Sequence, residues 1–411
     1  MKYLLTTILA VLAFTACSHD NSSESNGQGR TVIVYMAAEN NLSSIAQVNI
    51  NDMIIGAKKL GSKDRLLVFV DRQNPQEKPF IIRLTGNAKQ PVDTVYQFNN
   101  DFYSSDSEEM KQILGWCMKE YPNDSYGLVL WGHADGWLFH NTTTPKASTP
   151  SIKKAFGQDS GKDLNKEETK WMEITEMRDA LAALPHTFKF IFADCCAFQN
   201  VEVAYELRNT TDYIIASPAE IPGAGAPYAN IIPAMFNKTD ATMYQQICDR
   251  YNEAGGTGNR VPISTVNTAK LSDLASATHD IISNELNGKT FNMDGLVYYY
   301  NNVNYVYRAE RIMYDMMDFL RQNTGNEAYL KWRQTYDAAV VYKKKSSKWD
   351  TNGLVDFDDF TVTDDNFGGM SMFVPLNRYN STQKNYNELI KQMEWYNAAG
   401  TRVKAKRKNK T

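Results

Sequence analysis

The stretch "FKFIFADCCAFQNVEVAYEL" covers residues 188–207 and decides the fold class. It opens with a continuous apolar run that ends at Asp194 and is followed directly by two adjacent cysteines, Cys195 and Cys196. An unbroken apolar run of this length is typical of a strand that is buried on both faces, as in a parallel sheet. The residues that come next predict a helix. A strand followed by a helix is the repeating unit of an α/β protein.

Four further apolar runs extend this pattern along the first half of the chain. They are "RTVIVYMAA" (30–38), "DRLLVFVD" (64–71), "YGLVLWG" (126–132) and "DYIIASP" (212–218). Stretches with the spacing of amphipathic helices lie between them. This alternation predicts an α/β fold with a mostly parallel central sheet and helices on both faces. We expect the core of that fold to cover residues 31–225.

The second half of the chain has a looser pattern, and we expect a C-terminal α/β extension, packed on the core, over residues 226–411. Within it, "RAERIMYDMMDFLRQ" (308–322) predicts an amphipathic helix and "GGMSMFVP" (368–375) predicts a late strand. The last residues, "KAKRKNKT" (404–411), are basic and polar, which predicts a disordered tail.

The N-terminus has the layout of a secretory signal peptide. In "MKYLLTTILAVLAFTACSHD" (1–20), Lys2 precedes an apolar stretch and small residues lead up to Cys17, which resembles the lipidated cysteine of a bacterial lipobox. We therefore expect a lipoprotein signal peptide over 1–16, a lipid anchor on Cys17, and a flexible tether over 17–30. The predicted location is the bacterial cell envelope, with the anchor in the outer membrane or at the cell surface after export.

Composition narrows the classes of partner. Hydrophobic residues make up 43% of the 411 and charged residues 22%, which is ordinary for a folded protein, and a net charge of −3 gives no sign of a nucleic-acid partner.

Cys117 and Cys248 lie in amphipathic helical stretches, so we expect both to be buried apolar side chains. No Cys-x-x-Cys spacing and no cluster of histidines indicates zinc.

Reactive side chains follow two of the predicted strands. His133 comes directly after the run that ends at Gly132, and the paired cysteines follow Asp194. Because sites of parallel α/β sheets form beyond the carboxyl ends of the strands, we expect the imidazole and a thiol to lie close together. The remaining histidines do not follow a strand of this kind: His19, His140, His186 and His279.

A thiol beside an imidazole suits attack on an acyl carbon. The thiolate is the nucleophile, and the imidazole lowers the pKa of the thiol or supplies a proton to the leaving group. We expect the cysteine to begin the following helix, where its backbone N–H is a candidate donor for an oxyanion hole. A core histidine and a buried thiol are the structural alternatives, and these residues alone do not choose between Cys195 and Cys196.

Two segments resemble the active-site motifs of a known family. "LVLWGHADGW" (128–137) and "FADCCAFQNVEVAYEL" (192–207) are similar to the histidine and cysteine motifs of the clostripain family of cysteine peptidases. "VIVYMAAENNL" (32–42) and "ASPAEIPGAGAPY" (216–228) extend the resemblance, which covers nearly all of 31–400. It implies a caspase-like fold, a Cys/His dyad, and cleavage of peptides and proteins after Arg or Lys.

The resemblance assigns roles to individual residues. His133 is the catalytic histidine and Cys196 the nucleophile, with Cys195 in the position of the family's alanine. The backbone N–H groups of Ala134 and Cys196 are the expected oxyanion donors. Asp194 matches the aspartate that lines the S1 pocket, and Glu220 is a weaker second acid at the same rim. Capping of the next helix is the structural alternative for Asp194.

The sequence departs from the family pattern in three places, of which Ala134 and a missing tryptophan keep a rival hypothesis open. Ala134 stands where the family usually has glycine, Gly132 replaces a polar residue, and "GAGAPY" (223–228) lacks a tryptophan that is often present. The rival is a catalytically inactive relative that serves as a binding or scaffold lipoprotein on the cell surface.

A long polar segment separates the two motifs. Residues 138–168 are rich in Thr, Ser and Lys, as exposed and cleavable loops are, and the resemblance implies self-cleavage here, because family members often mature by cutting themselves in this region. Lys146, Lys153 and Lys154 are the candidate self-cleavage sites. An uncut surface loop is the alternative.

No cofactor is required by this interpretation, and no residue is assigned as a metal ligand. Some relatives in the family need calcium, and "GLVDFDDFTVTDDN" (353–366) contains oxygen ligands of the kind that calcium prefers. Its spacing matches no known loop motif, so a solvated acidic loop is the favoured interpretation. We expect the protein to be a monomer.

Overall fold

A computed structural model of the chain describes residues 29–138, 156–164, 166, 168–254, 261–304, 308–351, 355–381 and 385–400, with the backbone alone at 301–304 and 308–310. Within these residues, no helix is long and apolar enough to cross a membrane. The expected signal peptide, Cys17, nearly all of the tether and the basic tail lie outside the described residues, so those assignments remain predictions.

The described residues form fourteen strands in three sheets. In chain order the strands are β1 (Arg30–Ala38), β2 (Arg65–Arg72), β3 (Phe80–Leu84), β4 (Val92–Gln97), β5 (Ser125–Trp131), β6 (Phe156–Asp159), β7 (Lys170–Met172), β8 (Phe188–Asp194), β9 (Thr211–Ala216), β10 (Ile263–Asn267), β11 (Tyr298–Asn304), β12 (Arg308–Asp315), β13 (Val340–Lys344) and β14 (Ser371–Met372).

The central sheet has nine strands in the order β13-β10-β9-β8-β5-β1-β2-β3-β4. Its five middle strands, β9, β8, β5, β1 and β2, are parallel, and they are the five apolar runs of the sequence. The strands at both edges, β3 and β4 on one side and β10 and β13 on the other, pair antiparallel. The predicted mostly parallel α/β sheet is therefore confirmed.

Helices cover both faces of this sheet. Eleven α-helices occur in the described residues: α1 (Ser43–Ala57), α2 (Ser107–Glu120), α3 (Ile174–Ala182), α4 (Val201–Glu206), α5 (Tyr228–Met235), α6 (Asp240–Ala254), α7 (Leu271–Ile281), α8 (Met316–Asn323), α9 (Asn326–Ala339), α10 (Tyr386–Leu389) and α11 (Glu394–Ala399). Shorter helical segments are Leu207–Asn209, Thr268–Lys270, Ile282–Leu286, Asn377–Ser381 and Ile390–Gln392.

Alternate side chains of each strand enter two separate apolar cores, because successive residues of a strand point to opposite faces. In β1, Ile33 and Tyr35 belong to the core that contains α2, α3, α4 and α7. Val32 and Val34 belong to the other core, with α1, α5 and α6. Both faces of β1 are buried, which is why its sequence is apolar throughout rather than alternating. Cys117 and Cys248 are buried in these cores, as predicted.

The second half of the chain completes the same sheet. Strands β10 and β13 follow residue 225, yet they extend the central sheet beyond β9. A separate three-stranded sheet, in the order β11-β12-β14, packs against the core that contains α4. The central sheet thus runs across the predicted boundary at residue 225 instead of ending there.

Two local predictions in this half were wrong in part. The helix predicted over 308–322 is the strand β12 followed by α8, because Asp315 accepts hydrogen bonds from the N–H groups of Met317 and Asp318 and caps a new helix at that point. The strand predicted over 368–375 is shorter, since only Ser371–Met372 pairs with β12.

Candidate active site

The candidate catalytic side chains follow two neighbouring parallel strands. Trp131 at the end of β5 pairs in register with Asp194 at the end of β8. His133 and Cys196 therefore each lie two residues beyond the last matched pair, at one edge of the sheet. Both line the same open groove, which has a volume of about 700 Å³. The structure thus brings together the imidazole and a thiol, as the strand pattern predicts.

Gly132 sets the path of the backbone into His133. Its φ of +146° is one that residues with a side chain rarely adopt, and a Cβ placed on it would lie 2.9 Å from the carbonyl oxygen of Ala37. Its N–H points to the carbonyl oxygen of Asp194 at 3.5 Å. Glycine is therefore required here because β1 passes directly behind the histidine loop.

A tight turn, rather than the start of a helix, presents Cys196. The helix α4 begins at Val201 and is capped by Asn200, so the expectation that the cysteine begins this helix was wrong. Ala197 has a φ of +50°, which is uncommon for a residue other than glycine. Its N–H donates to the carbonyl of Ala219 at 2.8 Å, and its own carbonyl accepts from the Asn200 amide at 2.8 Å. These bonds hold the turn in a conformation that the sequence did not reveal.

The two adjacent thiols have different surroundings. Cys195 is fully buried in the apolar core, and burial raises the pKa of its thiol well above the ordinary value, with the neighbouring Cys196 and Asp194 adding to the shift. Cys196 is half-buried and lines the groove. A thiol must be deprotonated and accessible to act as a nucleophile, so the structure favours Cys196 over Cys195.

Asn41 is a contact of His133 that the sequence analysis missed. Its Oδ1 lies 2.6 Å from Nε2 of the imidazole. An amide oxygen only accepts, so the ring carries its hydrogen on Nε2 and Nδ1 is the nitrogen that can exchange a proton with a thiol. Asn41 follows β1 and belongs to the segment "ENNL" (39–42), whose position after the central strand was the signal available in the sequence.

The hairpin of β6 and β7 forms one wall of the groove. The N–H of Gly157 donates to the carbonyl of His133 at 2.9 Å, which joins the hairpin to the histidine loop. The ring of Trp171 lies 6.3 Å from the His133 ring, tilted by 45°. Gln158 and Ser160 also line the groove from this hairpin. The side chains that surround the imidazole therefore come from the segment that follows β1 and from the β6–β7 hairpin.

Asp194 lies at the floor of the groove in a buried hydrogen-bond network. Its carboxylate accepts from the N–H of Ala226 at 3.0 Å and from the hydroxyls of Tyr228 and Tyr251, each at 2.7 Å. Burial raises the pKa of this carboxyl, and the three donors oppose that shift. A carboxylate has about four acceptor positions, and these donors occupy three of them. Asp194 does not cap the next helix, because Asn200 does.

The groove carries an excess of acidic groups. Its lining includes four carboxylates and one lysine: Asp135, Asp194, Glu220, Asp350 and Lys162. Asp135 is buried and accepts a hydrogen bond from the Tyr300 hydroxyl at 3.1 Å. Glu220, by contrast, is half-buried. Of the two predicted S1 acids, Glu220 is therefore the more accessible.

Ala134, whose backbone N–H is a predicted oxyanion donor, also lines the groove. It is buried and forms an isolated bridge with Phe156 at the start of the β6–β7 hairpin. The methyl group that replaces the family's glycine hydrogen packs in the apolar core with Phe156. The methyl group of Ala134 is therefore accommodated in the apolar core.

Two further predictions concern segments away from the groove. Lys146, Lys153 and Lys154 lie outside the described residues, so self-cleavage there is untested. In the acidic segment 353–366, Asp359 pairs with Arg311 and Asp364 lies 2.6 Å from Lys345. The described part of this segment brings no three carboxylates together.

A model of the clostripain family matches residues 34–402, which is most of the chain. The chain belongs to the clostripain family. Clostripain from Hathewaya histolytica is 24% identical over 283 residues, a match that covers 63% of this chain and 49% of clostripain. The chain thus spans about half the length of this relative.

Solved structures of C11 cysteine proteases share the fold. A secreted C11 cysteine protease from Bacteroides thetaiotaomicron, solved with an irreversible peptide inhibitor, is 31% identical with a TM-score of 0.71, covering 91% of this chain and 99% of that one. An inactive zymogen C11 protease from Parabacteroides distasonis is 27% identical with a TM-score of 0.70, covering 90% and 97%. The predicted caspase-like fold of the clostripain-family cysteine peptidases is confirmed, and the rival of an inactive binding lipoprotein is not favoured.

Proposed function

We propose that this clostripain-family chain is a cysteine endopeptidase that uses Cys196 as nucleophile and His133 as its proton-transfer partner. The observation that carries the proposal is the register of β5 and β8, which leads both residues into one groove. An open groove is the shape that an extended peptide requires, and a thiol beside an imidazole is the chemistry that peptide-bond cleavage requires.

The reaction proceeds in two acyl-transfer steps. The Cys196 thiolate attacks the carbonyl carbon, and the electron pair of the C=O bond moves onto oxygen. The His133 imidazolium then gives its proton to the leaving amine as the C–N bond breaks, which leaves a thioester. Water, deprotonated by His133, attacks the thioester and releases the acid and the thiol. Donation from the N–H groups of Ala134 and Cys196 stabilises the oxyanion in both steps, and losing one such donor costs about 3 kcal/mol.

The acidic lining of the groove supports cleavage after Arg or Lys. A basic side chain at the scissile residue enters beside Asp194 and Glu220, where it gains charge-assisted hydrogen bonds. Asp194 forms the floor and Glu220 the accessible rim of this S1 pocket. With four carboxylates and one lysine along the groove, an acidic side chain is repelled.

Self-processing between the two motifs is part of the proposal. The candidate sites Lys146, Lys153 and Lys154 lie between β5 and β8, and they carry the basic side chain that the S1 pocket favours. A relative with the same fold was solved as an inactive zymogen, which supports maturation in this family. Denaturing electrophoresis of the wild type and of Cys196→Ala tests this step. Two fragments from the wild type and one intact band from the variant are expected, and one intact band from both contradicts it.

The proposed location is the cell envelope, with a lipid anchor on Cys17 and a monomeric catalytic part. The motif at residues 1–17 supports the anchor. Metabolic labelling with a palmitate analogue in a Gram-negative host tests it. The label is expected in the membrane fraction of the wild type and is lost in Cys17→Ser. Equal labelling of both proteins contradicts the assignment.

The dyad itself is tested with the two neighbouring thiols. Hydrolysis of fluorogenic peptides that end in Arg or Lys is expected for the wild type and for Cys195→Ala, and it is lost in Cys196→Ala. Iodoacetamide is expected to modify Cys196 in the folded protein and to leave Cys195 unmodified, as peptide mapping will show. Full activity in Cys196→Ala, or no hydrolysis by a wild type that folds and matures, contradicts the proposed function.

A further inference from the structure

The ends of four neighbouring strands set the order of the chemical groups along the groove. In the central sheet, β9, β8, β5 and β1 occupy adjacent positions. Glu220 follows β9, Cys196 follows β8 and His133 follows β5, and all three line the groove. Asn41, which follows β1, lines it as well. A path across this edge of the sheet therefore passes an acid, the thiol and the imidazole in turn before it reaches the end of β1.

The β6–β7 hairpin is attached to the β1 end of this path. The N–H of Ser160 donates to the carbonyl of Glu39 at 2.8 Å, and the side-chain amide of Asn40 donates to the carbonyl of Gln158 at 2.7 Å. Both Glu39 and Asn40 follow β1 directly. The hairpin thus lies beside the imidazole and the end of β1, whereas Glu220 lies beyond the thiol.

Trp171 is the large side chain that the hairpin contributes to the groove. The next residue of β7, Met172, is fully buried in the apolar core. Because successive residues of a strand point to opposite faces, the indole of Trp171 is turned away from that core. It is half-buried and lines the groove, with its ring 6.3 Å from the His133 ring. The groove therefore has an aromatic wall beside the imidazole.

The charge of the groove changes from one end to the other. Three of its four carboxylates, Asp194, Glu220 and Asp350, belong to or follow β8, β9 and β13, which all lie on the thiol side of β5. The described groove residues of the hairpin include no acid and the one lysine of the lining; they are Gln158, Ser160, Lys162, Thr169 and Trp171. The thiol side is thus acidic, and the hairpin side is aromatic with a single positive charge.

The direction of a bound peptide follows from the order of these groups, and this step rests on the proposed function. With the acidic S1 pocket on the thiol side, the residue after the scissile bond enters the hairpin side. His133 protonates the nitrogen of that residue, so the nitrogen lies about 3 Å from the imidazole. The Cα of the same residue is about 1.5 Å further away. Its side chain therefore comes within reach of the Trp171 ring, which is 6.3 Å from the imidazole ring.

We propose that Trp171 forms the subsite for the residue that follows the scissile bond, and that this subsite selects an apolar side chain. An apolar side chain removes area from water when it packs on the indole. A basic side chain is disfavoured there, because Lys162 lies on the same wall and the carboxylates of the S1 pocket lie on the other side of the thiol. The substrate class is thus a basic residue followed by an apolar one.

The test uses internally quenched peptides that share Arg at the scissile position and have Leu, Gly or Lys as the next residue. For the wild type, kcat/KM is expected to be roughly tenfold higher with Leu than with Gly, and lowest with Lys. In Trp171→Ala the ratio of Leu to Gly is expected to fall to roughly twofold or less, whereas Trp171→Phe retains most of it. Lys162→Glu, a change at an exposed residue, is expected to raise kcat/KM with Lys relative to Gly by roughly threefold.

Two controls separate a substrate contact from a general loss of structure. Trp116 is half-buried on α2, where its ring packs 5.0 Å from that of Tyr96, and it does not line the groove. Trp116→Ala is therefore the matched control and should keep the wild-type ratio of Leu to Gly. A peptidyl chloromethyl ketone that ends in Arg alkylates the thiol but has no residue beyond the scissile position. Trp171→Ala should react with it at nearly the wild-type rate.

The outcomes that contradict the subsite differ from those that contradict the peptidase. Equal ratios of Leu to Gly in the wild type and Trp171→Ala overturn the subsite, as does a wild-type preference for Lys after the scissile bond. Parallel loss of alkylation and of hydrolysis of every peptide in Trp171→Ala also overturns it, because the indole would then support His133 instead of contacting substrate. Failure of the proposed function has another signature, which is a folded wild type that neither reacts with the chloromethyl ketone nor cleaves any peptide.

Discussion

Asn41 Oδ1 lies 2.6 Å from His133 Nε2, and this contact orients the imidazole at the rim of the groove. The histidine loop leaves β5 and the asparagine follows β1, so two adjacent parallel strands deliver both partners. The bond assigns the ring hydrogen to Nε2 and leaves proton exchange with the thiol to Nδ1. Asn41 is therefore a positioning residue for the proposed dyad.

Replacing Asn41 with alanine is expected to lower kcat/KM by roughly tenfold or less, because one partly exposed hydrogen bond to a neutral ring is lost. Asn41→Asp adds a negative charge beside the imidazole and favours the imidazolium, so the alkaline limb of the pH profile of kcat/KM, where the imidazolium is lost, should move to higher pH. Asn51→Ala, an equivalent change on the exposed face of α1, is the control. Identical pH profiles for Asn41→Asp and the wild type contradict the positioning role.

Glu220 is expected to govern the preference for basic residues. In Glu220→Gln, KM for substrates with Arg or Lys at the scissile position should rise by roughly tenfold, since a charge-assisted contact becomes neutral. Substrates with a neutral residue there should be unaffected, which makes them the internal control. A wild-type preference for acidic residues would overturn the use of both Asp194 and Glu220 in the S1 pocket.

Gly132 and Gly115 form a matched pair of glycines. Gly132→Ala places a methyl group 2.9 Å from the Ala37 carbonyl at a φ of +146°, so both activity and melting temperature should fall. Gly115→Ala lies inside α2, where the nearest contact of the new methyl is 3.9 Å away. It should stabilise the protein by up to about 1 kcal/mol with no loss of activity. Unchanged activity in Gly132→Ala would show that the histidine loop adapts.

Glu202 makes the stability depend on pH. Burial raises the pKa of this carboxyl from 4.5 to about 7, so the folded state holds the proton more tightly than the unfolded chain. The contribution of the Glu202 carboxyl to the free energy of unfolding is fully present below about pH 4.5 and is lost as pH rises through about 7. The stability advantage of Glu202→Gln over the wild type should therefore grow between these values, by up to about 3 kcal/mol.

Melting temperatures across this pH range provide the measurement for Glu202. The amide of Glu202→Gln keeps an acceptor for the Phe373 N–H, which donates to Glu202 at 2.8 Å. Glu253→Gln, an exposed change on α6, is expected to show no such trend. A constant difference between Glu202→Gln and the wild type at all pH values contradicts the shifted pKa.

The five central strands were predictable because burial on both faces leaves a continuous apolar run, as in β1 and β8. The edge strands were not predictable in this way. For example, β4 is largely exposed, and its residues "VDTVYQ" (92–97) form no continuous apolar run. The strand–helix junction at Asp315 was missed for another reason. Amphipathic helix and strand patterns both fit the residues around it, and the capping bonds that separate them appear only in the fold.

Long-range pairings account for what the sequence left open at the candidate site. Asn41 and His133 are 92 residues apart in the sequence, and the pairing of β1 with β5 brings them together. The residues alone did not choose between Cys195 and Cys196, because the choice depends on which thiol is buried and which is accessible in the fold. In the fold, Cys195 is buried in the core and Cys196 lines the groove.

The placement of β5 between β1 and β8 would set an order of events for the proposed self-cleavage. A cut after residue 138 and before residue 156 would divide the chain between two strands that are hydrogen-bonded neighbours. The two fragments would remain associated in one folded molecule, because their strands are paired in the same sheet. They would separate only after denaturation. The N-terminal piece by itself would expose the bare edge of β5, so folding must precede the cut. A nicked molecule, once unfolded, would need its two pieces to meet again by diffusion before it could work.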